Sequence, residues 1–433
     1  MTLPTLRLPD HLAASLAAGH PWVYRDHVSG RPSIPDGAWV RVEAGRAAAV
    51  GLWAAEGPIA VRAFRRAPAG GSLAVPDRAW VRATVDRALD QRAAVGLGEA
   101  GSNTGPAEPA SVGAGPGAAR TDAYRLLYGE GDGLPGLTLD RYGRYAVAKT
   151  YADAYRLPGS DAEALLTEVV RALTGRLRLR GVVAAPHGDE PLAPLWGEPP
   201  PREVTVSEHG LTFVANLHEG QKSGLFLDQR DNRATVRSVA RGRRVANLFA
   251  YAGGFSVHAL AGGAVRAVDV DLAVPALRDA ERNVAANAAA IHAAWPAGGP
   301  ASDRHATVCL DLLADPAAAL RHPALAGSDL IVLDPPSLAR HKGQRHAALR
   351  AYRRLNAGAL AALPAGGLLA TASCTAQVSA EAFREVVAQA AADAGVDARV
   401  LRETGHAPDH PVPLAFPEGR YLKLLLLRVD RPG

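Results

Sequence analysis

The second half of the chain alternates short apolar runs with stretches of helical composition. The runs are "RRVANLFAY", "AVRAVDVD", "HATVCLDLL", "SDLIVLDPPS" and "GGLLATASC". Apolar runs of this length read as strands, and helical segments lie between the first three, between the last two and after the fifth. Alternating βα units predict an α/β, doubly wound Rossmann-like parallel sheet that takes its ligands at the carboxyl ends of its strands. Function is therefore to be sought in the residues just after each run.

The first half follows other patterns. From about Leu6 to Gly70, "AWVRVEA", "AAAVGLWA" and "IAVRAFRR" are short β-runs parted by Gly and Pro turns, which predicts a small β-barrel forming a separate module. A helix is expected from about Asp77 to Val95. The stretch Gly96 to Arg120 has almost no large apolar residue and cannot bury enough surface to offset the ordering of its backbone, so it reads as a flexible insertion. Beyond it, "YRLLYGEGDGLPGLTLDRYGRYAVAKTYA" reads as two strands around a Gly-Pro turn. The helix "DAEALLTEVVRALTG" and the strand "LRGVVAA" complete a small α+β domain. The expected division is 1–72, 73–200 with the insertion at about 96–120, and 201–433.

Composition narrows the classes. A chain of 433 residues is long enough for two or three cores. Its two cysteines, Cys309 and Cys374, form no C-x-x-C, which argues against a disulfide framework or a zinc site. A reducing cytosol is the natural compartment, and neither a secretory leader nor a membrane span is legible. The net charge of +5 suits a polyanionic partner. Of the 48 basic residues only four are lysines, a bias that a GC-rich genome also produces, so charge alone favours nucleic acid only modestly.

The strand ends carry the chemistry. In "NLFAYAGGFSVHAL", Asn247 to Leu260, Gly253 and Gly254 allow a tight turn and a close approach of backbone to ligand. Their spacing is not that of the dinucleotide fingerprint. The second run ends at Asp271, an acceptor for a ribose diol, and the third at Asp311, within reach of an adenine amino group. Together they favour a nucleoside cofactor. The fourth run ends in "DPPS", where two prolines fix Asp334 in a rigid turn suited to hydrogen-bonding a planar base edge. The fifth ends at Cys374. If the fourth and fifth strands are neighbours through a right-handed crossover, Asp334 and Cys374 emerge at the same edge of the sheet.

"GQKSGLFLDQRDNR", "NLFAYAGGFSVHAL", "DPPS", "SCT" and "HAPDHPVPLAFPEGRYLKLLLLRV" resemble the large-subunit ribosomal RNA cytosine-5 methyltransferase I family, a PUA-domain-containing group of S-adenosylmethionine enzymes. "GHPWVYRDHV" is similar to that family's PUA opening and "GEGDGLPGLTLDRYG" to its middle domain. The resemblance implies S-adenosylmethionine as cofactor and RNA, above all large-subunit ribosomal RNA, as partner. It implies Arg230 and Asn247 as cofactor contacts, with Ala250, Tyr251, Gly253, Gly254 and Phe255 on the loop under the methionine moiety. Asp271 would take the ribose and Asp311 would lie beside the adenine. Asp334 would orient the target base, and Cys374 would be the nucleophile. Leu225, Ala252 and Thr375 depart from the family pattern, and "LDLL" is a loose version of its third motif.

Carbon 5 of cytosine is a poor nucleophile, which is why a thiolate adding at carbon 6 is needed to activate it. An RNA uracil-5 methyltransferase would use the same thiolate, and a guanine-N methyltransferase would need Asp-Pro-Pro-Ser alone. A noncatalytic RNA-binding protein of the same fold would not need the strand-end residues that are intact here. "HAPDH", His406 to His410, has metal-ligand residue types without further clustered ligands, so no metal is expected. The sequence does not fix the oligomeric state and is compatible with a homodimer.

Overall fold

The computed structural model describes residues 3–30, 32–98, 120–185, 191–218 and 225–431. The expected insertion at 96–120 lies almost wholly outside the described residues, as does the first part of the "GQKSGLFLDQRDNR" block. Among the described residues, no helix is long and apolar enough to cross a membrane.

The N-terminal runs form Trp39–Ala44, Ala47–Trp53 and Ile59–Pro68, the centre of a five-stranded sheet completed by Thr5–Arg7 and Trp22–Tyr24. This sheet has its own core, with Val40, Val42, Ala49 and Val61 buried in it. It is not, however, a free-standing unit. Trp39 and Leu52 belong to the apolar core of the middle domain, beside Val81, Val85 and Tyr124. The Trp22 indole also donates to Glu130 at 2.7 Å.

The middle domain is a five-stranded sheet covered by helices Arg78–Ala94 and Asp161–Arg176. The second helix starts where Ser160 accepts a bond from the Glu163 amide at 3.1 Å, a side-chain cap on an otherwise unpaired donor. The stretch expected to give two strands gives three: Ala123–Tyr128, Leu137–Tyr142 and Tyr145–Thr150. The last two form a tight hairpin in which Tyr142 faces Tyr145 across Gly143 and Arg144. Gly143 has φ +60°, the left-handed conformation that such two-residue turns demand, so Gly143 is the turn signal in this stretch.

The C-terminal domain opens with the hairpin Glu203–Glu208 and Leu211–Asn216, then builds a seven-stranded sheet. Its strands are β1 (Arg244–Leu248), β2 (Arg266–Asp271), β3 (His305–Cys309), β4 (Leu330–Leu333), β5 (Leu368–Ser373), β6 (Asp397–Thr404) and β7 (Lys423–Asp430). The order is β3-β2-β1-β4-β5-β7-β6, parallel except that β7 runs antiparallel to both neighbours. The five apolar runs are thus β1 to β5, and the tail adds two strands. The main helices are α1 (Arg230–Val239), α2 (Gly254–Ala261), α3 (Val274–Ala286), α4 (Arg345–Ala362) and α5 (Ala380–Asp393). Apolar side chains from alternate strand positions build one core on each face, with Val257 and Leu260 of α2 on one and Tyr352 and Phe383 of α4 and α5 on the other. The order reverses between β1 and β4, which opens a crevice above the carboxyl ends of those strands.

Candidate functional site

The loop after β1 is held in a conformation most residues avoid. Phe249, Tyr251 and Gly253 have φ +59°, +50° and +71°, so the left-handed region is entered three times in five residues. Left-handed non-glycine residues cost energy and persist only where the surroundings impose them. Here Asp271, at the end of β2, does so: one carboxylate oxygen accepts from the Tyr251 amide and the other from the Ala273 amide, both at 2.9 Å. At Gly253 a Cβ would lie 2.7 Å from the Ala280 Cβ and from an Asp269 oxygen, so glycine is required there. Asn247 and Asp269 lie beneath the loop. The buried Asn247 amide donates to Asp269 at 2.8 Å, and Asp269 also binds Ser256 and His305.

These contacts sort the expected cofactor residues. Asp271 is half-buried at the mouth, with an acceptor-only carboxylate oriented by two amides, and that donor set fits a ribose diol. Ala250, Tyr251, Gly253, Gly254 and Phe255 form the loop beside it, while Asn247 is a buried support below it. Asp311 is exposed, and one of its oxygens accepts from the amides of Leu313 and Ala314 at 2.9 and 3.2 Å, which caps its own turn. Arg230 uses its guanidinium elsewhere than at the cofactor loop. It is buried, its outer nitrogens both donate to Asp409 at 2.9 Å, and its Nε donates to Asp231 at 3.2 Å.

Asp409 is the acid of "HAPDH" and explains that motif. Besides Arg230 it accepts from the Arg125 amide at 2.8 Å, and its own carbonyl accepts from the buried Arg92 at 2.8 Å. Burial would raise its pKa, but His410 and the Arg230 guanidinium beside it hold it well below the usual carboxylate range. The motif therefore clasps the C-terminal domain to the middle domain. Among the described residues no group of three or more His, Cys, Asp or Glu is placed to hold a metal.

Asp334 and Cys374 are brought together as the strand order predicts. β4 and β5 are parallel neighbours with Leu333 opposite Thr371, and the Cys374 Sγ lies 3.9 Å from the Pro335 carbonyl oxygen. Thr375 ties the two loops further: its hydroxyl accepts from the Leu338 amide at 3.0 Å and shares a 2.7 Å bond with the Tyr352 hydroxyl. Gln229 donates to Asp334 at 2.9 Å. Desolvation, reinforced by the nearby Asp228 charge, pushes the Asp334 carboxyl up to about 7, so near neutrality it is protonated about half the time. Burial, followed by the charges of Asp334 and Asp228, pushes the half-buried Cys374 thiol up to about 12, with Lys423 pulling the other way.

Tyr421, Lys423 and Asp409 were not singled out from the sequence as parts of the site, and Asp228 and Gln229 only as members of the block Leu227 to Arg233 that the resemblance places against the cofactor. Asp228 accepts from the Tyr421 hydroxyl at 2.7 Å, which joins the turn before α1 to the segment before β7. Asp228, Gln229 and Asp409 lie in the polar runs "LDQRDNR" and "HAPDH", whereas no local pattern marks Tyr421 and Lys423.

A doubly wound sheet with a glycine turn after its first strand and an acid after its second is the architecture of a methyltransferase that takes S-adenosylmethionine. Residues 188–409 match the family model described as S-adenosylmethionine-dependent methyltransferase, and residues 6–66 match that of a PUA-like domain. The chain is 37% identical over 99% of its length to a Deinococcus radiodurans "Ribosomal RNA large subunit methyltransferase", of which the match covers 98%. It is 34% identical over 71% of its length to an Escherichia coli "Ribosomal RNA large subunit methyltransferase I", covering 75% of that protein. A solved methyltransferase complexed with SAH superposes with a TM-score of 0.78 at 20% identity, over 98% of this chain and 100% of that one. A solved S-adenosylmethionine-dependent methyltransferase from Streptococcus mutans gives a TM-score of 0.75, also at 20% identity, with the same coverage of both chains. The chain belongs to the family of ribosomal RNA large subunit methyltransferases, and S-adenosylmethionine is its cofactor.

Proposed function

We propose that the protein methylates carbon 5 of a cytosine in large-subunit ribosomal RNA, with Cys374 as nucleophile and Asp334 as the group that engages N3. The observation that carries this reading is the adjacency of Cys374 to the Asp334 turn at neighbouring strand ends. Nitrogen methylation needs no thiol at that point. The relatives' names support ribosomal RNA as the substrate class.

The bound cofactor supplies an electrophilic methyl group. The Cys374 thiolate forms a bond to carbon 6, and the electron pair displaced from the carbon 5–carbon 6 double bond is drawn towards N3. The raised pKa leaves a protonated fraction of the Asp334 carboxyl near neutrality, and that form donates its proton to N3, which neutralises the developing charge. This favours cytosine over uracil, because cytosine N3 is an acceptor whereas uracil N3 already carries a hydrogen. Carbon 5 is then methylated, its proton is removed, and the returning electron pair expels the thiolate.

The test is RNA carrying 5-fluorocytosine, whose fluorine cannot leave as the proton does. A covalent protein–RNA adduct should survive denaturing gels, should require S-adenosylmethionine to form, and should vanish with Cys374→Ala but not with Cys309→Ala. Normal methylation by Cys374→Ala would overturn this reading and favour guanine-N methylation through Asp334.

A further inference from the structure

Lys423 is a buried cation that no step above uses. It opens β7 directly opposite Ser373, the last residue of β5 and the neighbour of Cys374. The residue is 5% exposed, and its ammonium donates to three main-chain carbonyls: Thr375 at 2.8 Å, Val378 at 2.7 Å and Tyr421 at 2.8 Å. Two of these carbonyls belong to the turn that begins at Cys374. Among the described residues no carboxylate lies within ion-pairing distance of this ammonium, although buried ammonium groups normally have a counterion. The chain's own habits sharpen the point, because only four of its 48 basic residues are lysines and this one closes the turn of the nucleophile. Closing a turn requires only N–H donors. A charge at this depth, held by carbonyls and without a carboxylate partner among the described residues, is placed to meet an anion that appears during the reaction.

We infer that this anion is the Cys374 thiolate, and that Lys423 is a positioning residue whose fixed charge stabilises the ionised nucleophile without touching substrate. The inference rests on the reading of Cys374 as nucleophile. The three carbonyls hold the ammonium rigidly beside the turn, so little reorganisation accompanies ionisation of the thiol, which is what makes a preorganised charge effective. The other charged or titratable groups facing the thiol are Asp334, Asp228 and Tyr352, and none of these is a cation. Lys423 therefore opposes two carboxyls that otherwise disfavour the thiolate.

The test reads the thiolate directly, with iodoacetamide on the full chain carrying Cys309→Ala, so that Cys374 is the only thiol. Alkylation forms a sulfur–carbon bond, iodide leaves, and the thiol proton has already passed to solvent. At about pH 7.5 the rate should fall by about tenfold or more in Lys423→Met, because only the thiolate reacts. An unchanged rate in folded Lys423→Met would overturn the inference and leave Lys423 as a turn clamp. A second measurement keeps the lysine and adds Asp334→Asn, which removes the other group titrating nearby. Burial lowers Lys423 to about 8, so the rise of alkylation rate with pH should flatten there as the lysine loses its charge. A steady rise of about tenfold per pH unit through about pH 9.5 would overturn the inference without any change at Lys423. Failure of the functional reading is separate: it appears as methylation by Cys374→Ala, whatever the alkylation rates.

Discussion

Gln229 donates its side-chain amide to Asp334 at 2.9 Å, across 105 residues of sequence. That bond is made to a carboxyl that burial and Asp228 hold at about 7. Because this pKa is raised above the unfolded value near 3.9, its contribution to stability is fully present below about pH 4 and is lost as pH rises through 7. Asp334→Asn, which cannot ionise, should therefore match the wild type near pH 4 and be more stable by about 4 kcal/mol at pH 8. Urea unfolding at the two pH values measures this, and the same variant should be severely impaired in methylation.

Asp271→Ala removes the acceptor proposed for the ribose diol and also releases the amides of Tyr251 and Ala273. Affinity for S-adenosylmethionine should fall by about 1–3 kcal/mol, the cost of leaving polar partners unpaired. Titration calorimetry on folded protein checks it. Unchanged affinity would remove Asp271 from the cofactor site.

Asp409→Asn should cost about 3–5 kcal/mol at neutral pH, since it takes the bidentate carboxylate from the buried Arg230 guanidinium and leaves it only the half-exposed Asp231. The wild-type carboxyl titrates below the usual range, so its contribution is present above about pH 4 and is lost as pH falls. The deficit of the variant should accordingly narrow in acid. Denaturant melts at neutral and low pH would show whether it does.

Deleting residues up to Gly70 should do more than weaken RNA binding. It strips Trp39 and Leu52 from the core of the middle domain, at about 1.5–3 kcal/mol for each large side chain exposed or left over a cavity. Thermal melting of the truncated protein should show a lower transition, whereas an unshifted melt would restore the view of an independent module. In the full chain, RNA affinity should fall steeply with salt if phosphate contacts hold the complex.

Much of this architecture was legible because it rests on local patterns. The apolar runs of β1 to β5 marked their own ends, and neighbouring strands joined by one crossover brought Asp334 and Cys374 to one edge. Gly253 was legible as a turn glycine, though not the left-handed Phe249 and Tyr251 beside it; the Tyr251 amide is held by Asp271 from the next strand. What could not be read was long-range pairing of charge. The partner of Arg230 lies 179 residues away in a motif whose residue types suggest a metal, and nothing in Arg230's own surroundings announces it. The Gly143 hairpin was missed because the more conspicuous Gly-Pro turn nearby drew the boundary.

The position of β7 has a consequence for how activity arises during folding. The strand nearest the end of the sheet's sequence sits between two that precede it, pairing with β5 on one side and β6 on the other. Until it inserts, β5 and β6 both present unpaired edges, and the turn at Cys374 lacks the ammonium that closes it. Such late, non-local pairing is slow compared with forming the helices. A partly folded chain can thus carry a complete loop after β1 and still lack an organised turn at Cys374, so the proposed nucleophile is set in place only when the sheet is finished.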